Sequence, residues 1–143
     1  MKIFGIGTDI MECDRIRKML DKHGDYFYDR VYTDWENEYC RARKQSIESY
    51  TGRWCAKEAI LKAIGTGWVR GIAWRDMEIK NAPSGAPYLC IGGGVLAKVL
   101  AEGISDIQVT ISHCGTHATA TAIAIIDGTE FPQDRQFIRP EDF

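Results

Sequence analysis

From Asp106 to His113 apolar and polar residues alternate without a break, and only a strand can bury one side of such a pattern. Ile107, Val109 and Ile111 mark the apolar side, and His113 shares their parity. Lys2 to Ile10 alternates too, with Phe4, Ile6 and Ile10 on one face and Ile3, Gly5, Gly7 and Asp9 on the other. Two glycines beside a carboxylate predict open space next to Asp9, suited to a ligand or to close approach of another backbone. Ala118 to Ile126 supplies a final strand.

Between these strands the period changes. Glu12 to about Asp25 reads as a helix whose apolar stripe is Cys13, Ile16 and Leu20, reaching Phe27 if the turn continues. Arg15, Lys18 and Lys22, with Met19 among them, form a separate face of that helix. Asp34 to Lys44 is a polar helix, and Tyr50 to Ile64 carries Trp54, Ile60, Leu61 and Ile64 at helical spacing before Gly65-Thr66-Gly67 ends it. Trp74 to Lys80 and Pro87 to Ile91 are expected to form a hairpin around the turn residues 81–86. Val95, Leu96, Val99 and Leu100 then make a short amphipathic helix. The order is strand, helices, two strands, helix, two strands, an α+β fold. With 143 residues and no dividing linker, one domain over residues 1–127 is expected. Residues 128–143, with Pro132 and Pro140, read as a loose C-terminal tail.

A net charge of −2 and a charged fraction of 27% give no whole-molecule field that would favour nucleic acid or an anionic membrane. Asp9 interrupts the apolar start before a signal-peptide core develops, and no stretch approaches the roughly 20 apolar residues of a membrane span. The five cysteines are scattered without C-x-x-C spacing, so reduced thiols in a cytoplasmic protein are expected.

Four residues are candidates for chemistry. Asp9 stands at a strand end as a cation ligand, although the same segment suits a helix N-cap or turn aspartate. Glu58 and Lys62 lie four apart, sharing a helix face with Thr51 and Cys55. They form either a solvated ion pair worth about 0.2–0.5 kcal/mol or, with Asp9, a site for a hard cation and a phosphate. Gly65-Thr66-Gly67 either stops the helix or offers N–H groups to a phosphate. His113 either sits in the core or serves the site. Cys114 and His117 nearby make an incomplete zinc set.

The order of four motifs carries more than any one of them: Gly5-Ile6-Gly7-Thr8-Asp9-Ile10, then Arg53-Trp54-Cys55-Ala56-Lys57-Glu58-Ala59, then Lys62-Ala63-Ile64-Gly65-Thr66-Gly67, then Ile111-Ser112-His113. From about Lys2 to Ile126 the chain resembles the holo-acyl-carrier-protein synthase family. The resemblance implies transfer of the 4′-phosphopantetheine arm of coenzyme A to a serine of apo acyl carrier protein, in fatty acid biosynthesis, with Mg²⁺ as cofactor. By position, Asp9 and Glu58 match the metal carboxylates, Lys62 the lysine near the pyrophosphate, and His113 the histidine beside coenzyme A. Arg53, Gly65, Thr66, Gly85 and Pro87 match segments around the nucleotide. Glu58, Asp9 by way of a water, or His113 could take the serine proton. A homotrimer with sites at its interfaces is also implied.

The face of Arg15, Lys18, Met19 and Lys22 would meet the acidic helix of the carrier protein. Asp25 and Asp29 add acidity where the family surface is often basic, and Ala86 stands where a lysine is common. Two other functions use similar groups: a non-catalytic coenzyme A or carrier-protein binding module, and a metal-dependent nucleotide phosphohydrolase.

Overall fold

The computed structural model describes residues 1–138. Strand β1 (Lys2–Glu12) leads into helices α1 (Cys13–His23), α2 (Asp25–Val31), α3 (Asp34–Arg41) and α4 (Ser46–Ala63). The hairpin β2 (Met77–Asn81) and β3 (Pro87–Ile91), helix α5 (Gly93–Glu102), and strands β4 (Asp106–Cys114) and β5 (His117–Ile126) follow. The expected α+β order therefore holds. Trp74–Asp76 form a short 3-10 turn ahead of β2 instead of extending it.

β1, β5 and β4 form an antiparallel sheet in that order, and β2 pairs with β3 as a separate antiparallel ribbon. Helix α4 is the centre of the molecule, packed against β1, β4 and β5 on one side and against α1, α3 and β2 on others. It can lie close to the sheet because the strands beneath it carry almost no side chain. Gly5, Gly7 and Asp9 of β1 stand opposite Ala124, Ala122 and Ala120 of β5. A Cβ on Gly5 would come 2.1 Å from the Ala63 carbonyl oxygen, and one on Gly7 would come 1.9 Å from that of Ala59. The glycines thus serve close backbone approach, and α4 fills the space beside them.

The inward alternation of β1 is broken by a bulge between Ile3 and Gly5. One extra residue switches the face of everything before it. Phe4 therefore packs against the main core, while Ile3 joins Ile6 and Ile10 on the outer face, where the three are 51%, 61% and 67% exposed. This reverses the expected placement of Phe4 and Ile3.

A second core lies under α1, α2, α3 and the start of α4, built on Ile16, Leu20, Phe27, Tyr32 and Tyr50. Gly24, at a φ of 55°, ends α1. Phe27 therefore reaches this core from a separate helix and not from a continued turn. Met11 and Trp54 pack against both cores.

The stretch after Asp127 is not loose over its described part. Phe131 is buried, and the Phe137 N–H donates to the Ile91 carbonyl at 2.9 Å. Arg135 donates to the carbonyls of Leu89 and Ile107 at 2.8 and 3.3 Å and to the Asp106 carboxylate at 2.9 Å. Its guanidinium thus ties the facing edges of β3 and β4. Pro140 lies outside the described residues.

Candidate active site

Two groups of polar side chains sit on different sides of α4. The first lies between its C-terminal half and β1. Asp9 is within the strand, so it caps no helix; Glu12 holds the N-cap position of α1. Lys62 Nζ donates to the Thr8 carbonyl at 2.8 Å and to Asp9 Oδ1 at 3.4 Å. Lys62 is therefore paired across the helix–strand contact and not with Glu58 one turn away. Glu58 accepts instead from the indole Nε1 of Trp68 at 3.1 Å. Cys55, one turn earlier on the same face, donates to the Ala118 carbonyl. Burial, followed by the charge of Asp9 and then by lesser effects including that of Glu58, pushes its thiol up to about 12.

Asp9 Oδ2 is buried with no hydrogen-bond partner. A buried carboxylate oxygen without a donor is costly. A hard cation held by one or two carboxylates, with substrate phosphates and water completing its shell, would offset that cost. The orphaned oxygen of Asp9 fits such an ion, and Glu58 keeps Oε2 free of the Trp68 donor, which is on Oε1. Gly65 and Thr66 close α4 beside this group in a Schellman arrangement. Gly65 N–H donates to Lys62 O at 3.1 Å, and Thr66 N–H to Leu61 O at 3.0 Å. These N–H groups satisfy helix carbonyls, so the glycine run acts as a helix stop.

The second group surrounds a cavity of about 220 Å³. Arg53, Gly85, Pro87 and His113 all line it, together with Tyr39, Arg43, Glu48 and Asn81. Arg53 is almost wholly buried; its guanidinium stacks over the Tyr39 ring at 4.5 Å and donates to Asn81 Oδ1, while its Nε has no partner. Asn81 in turn donates to the Gly85 carbonyl at 3.0 Å, which shapes the hairpin tip. His113 is 44% exposed on the rim, with Nδ1 2.5 Å from Glu48 Oε2, so it is not a core histidine. Two arginines against an aromatic ring suit an anionic group attached to a planar one.

Asp9, Glu58 and Lys62 do not line this cavity. Nine residues at about 100° each place Lys62 about 180° around α4 from Arg53. The sequence-expected residues therefore fall into two sets, with Gly65 and Thr66 in the first. On α1, Arg15, Lys18 and Lys22 are exposed, whereas Met19 is half-buried against the second core.

Sequence reasoning missed Glu48, Tyr39, Asn81 and Trp68. Glu48 and Tyr39 reach the cavity from the start of α4 and from α3, distances that no local spacing encodes. Trp68 carried a usable signal: a tryptophan just past a glycine stop brings an indole N–H that needs a partner.

Residues 5–126 match the model of the 4′-phosphopantetheinyl transferase superfamily. Among curated proteins, the chain is 42% identical over 125 residues to the holo-[acyl-carrier-protein] synthase of Chlamydia pneumoniae, covering 87% of this chain and 99% of the relative. It is 44% identical over 121 residues to that of Gloeobacter violaceus, covering 84% and 91%. The crystal structure of holo-[acyl-carrier-protein] synthase from Neisseria meningitidis superposes with a TM-score of 0.79 at 30% identity, over 87% of this chain and 99% of that one. The Helicobacter pylori enzyme in complex with coenzyme A gives 0.74 at 27% identity, over 84% and 99%. The chain belongs to the 4′-phosphopantetheinyl transferase superfamily, among the holo-acyl-carrier-protein synthases.

Proposed function

We propose that this chain transfers the 4′-phosphopantetheine arm of coenzyme A to a serine hydroxyl of apo acyl carrier protein, yielding holo carrier protein and adenosine 3′,5′-bisphosphate. The observation that carries the reading is the pairing, on one helix of a family member, of a carboxylate–lysine cluster with an arginine-lined cavity of nucleotide character. A coenzyme A binding module would have no use for the cluster, which argues for catalysis.

In the reaction the serine oxygen bonds to the phosphorus bearing the pantetheine arm, and the bond from that phosphorus to the adenosine bisphosphate oxygen breaks. Asp9 and Glu58 would hold Mg²⁺, which when bound neutralises charge on the pyrophosphate. Lys62, already held at Asp9 and the Thr8 carbonyl, is aimed to stabilise the leaving phosphate. Arg53, with its unpartnered Nε, and the hairpin tip at Gly85 and Pro87 hold the nucleotide end. The serine proton passes to a carboxylate of the first group or to His113, which Glu48 holds on the cavity rim.

The two groups face apart on one chain, so the complete site takes one group from each of two copies. The homotrimer implied by family resemblance supplies that arrangement, and the exposed isoleucines on the outer face of the three-stranded sheet are the surface it would cover. Arg15, Lys18 and Lys22 on α1 steer the acidic carrier, with Met19 contributing its exposed half. Residues 1–127 carry every proposed site residue, and the segment that follows packs back on them through Phe131 and Arg135. All five cysteines are unpaired, and no helix among the described residues is long and apolar enough to cross a membrane; both suit service in cytoplasmic fatty acid synthesis.

The test is intact mass spectrometry of apo acyl carrier protein incubated with this chain, coenzyme A and Mg²⁺. The carrier is expected to gain the mass of one phosphopantetheine arm, to lose that gain with EDTA, and to gain little with Glu58→Gln. No gain across several carriers would overturn the transferase reading, and normal turnover by Glu58→Gln would overturn the metal role of that carboxylate.

A further inference from the structure

Glu58 is half-buried, and among the described residues its one hydrogen-bond donor is the Trp68 indole, at 3.1 Å from Oε1. That donor does not hang free in its loop. The Trp68 ring packs on Trp74 with centroids 3.9 Å apart, Trp74 on Trp54 at 4.2 Å, and Trp54 on Phe27 at 5.9 Å. Trp54 lies on α4 one turn before Glu58. The contacts therefore close a ring: from α4 through three indoles tilted against one another and back to α4 at the carboxylate. Phe27 anchors the stack in the second core.

Such a loop has a physical consequence. A glutamate side chain has three rotatable bonds, and ordering it on ion binding costs entropy. A donor fixed on one oxygen removes that freedom beforehand and leaves Oε2 as the ligand oxygen. We propose that Trp68 is a positioning residue for Glu58, holding Oε1 so that the carboxylate is presented, together with Asp9, to the divalent cation. The role rests on the metal reading of Asp9 and Glu58 given above.

The variant Trp68→Phe keeps a ring on Trp74 and removes the N–H. Mg²⁺ titrated calorimetrically into the full chain with coenzyme A present should show a dissociation constant raised about 10-fold or more, as for loss of other outer-shell partners of a metal ligand. The melting temperature should stay that of the parent. Glu58→Ala should impair Mg²⁺ binding at least as strongly. If Trp68→Phe binds Mg²⁺ like the parent while Glu58→Ala is impaired, the positioning role is overturned and the metal reading stands. If Glu58→Ala binds Mg²⁺ like the parent, the metal reading falls and takes the role with it. A second measurement leaves Trp68 in place. Of the four indole N–H resonances of the ¹⁵N-labelled chain, that of Trp68 should lie downfield and move upfield in Glu58→Ala. A Trp68 resonance that does not move in this variant would overturn the contact itself.

Discussion

Lys57 and Glu36 are both wholly buried, and their Nζ and Oε1 atoms lie 2.6 Å apart. Glu36 Oε1 also accepts from Thr33 N–H, closing a capping box at the start of α3, while Oε2 accepts from Ile79 N–H of β2. Lys57 further donates to the Val31 carbonyl. One ion pair thus joins α2, α3, α4 and β2, one residue before Glu58. Burial lowers the Lys57 pKa from the usual lysine range, and the charge of Glu36 opposes that shift. Replacing one partner leaves the other charge buried and uncompensated. Lys57→Met should therefore cost about 3–5 kcal/mol in urea unfolding, and a loss below about 1 kcal/mol would mean the ammonium is not buried as a charge. The cysteines behave oppositely to one another. Cys114 is exposed, and hydrogen bonds from the Thr116 hydroxyl and from the backbone N–H groups of His117 and Thr116 hold its thiol below the usual range. Burial raises Cys40, Cys55 and Cys90. At neutral pH the thiolate of Cys114 is the more populated, so iodoacetamide should label it first, as peptide mapping of the partly reacted chain would reveal. Preferential labelling of Cys55 would contradict the packing of α4 on β1.

At the scale of elements, the decisive contact is α4 lying on the bare backbone of β1 and the alanines of β5. Gly7→Ala would drive a Cβ against the Ala59 carbonyl and to 2.8 Å from Lys62 Cβ. The obstacle is helix backbone, which cannot swing aside, so the helix must lift. The expected cost is about 1–3 kcal/mol of stability, with a larger fall in transfer rate than in carrier affinity because Lys62 and Asp9 separate. Unchanged melting and activity would show that α4 does not sit this close. The existence of these elements was legible because period, glycine stops and turn residues act locally. The bulge at Phe4 was not, since it depends on which residues of β5 meet β1, and it moved two large side chains to opposite faces. The break at Gly24 ended the first helix close to its expected end at Asp25, and the separate helix α2 that follows was not expected.

For the whole molecule, the sheet is covered by α4 on one face and carries Ile3, Ile6 and Ile10 bare on the other. An apolar surface of this kind marks an interaction site, and it is the face assigned above to the proposed homotrimer. Ile6→Glu should leave the chain folded by circular dichroism while reducing its mass in light scattering to that of one copy. On the proposed assembly, in which the carboxylate cluster of one copy meets the nucleotide cavity of another, transfer should fall with it. A variant that keeps both the assembled mass and the activity would remove this face from the interface.

The sequence by itself determined the order of strands and helices, the α+β class and the candidacy of Asp9, Glu58, Lys62 and His113. Class and element order depend on alternation and helical spacing, properties of neighbouring residues, while the candidacy of the four rests on the order of the motifs along the chain. Only the tertiary structure decided who pairs with whom. Lys62 turned to Asp9 instead of Glu58, Glu58 to Trp68, and Lys57 to Glu36. It also divided the site residues between two sides of α4 and drew Arg135 from the expected loose tail onto β3 and β4. Those outcomes follow from burial: a charge or carbonyl removed from water takes the partner that the packing brings to it, however far away in the chain that partner lies.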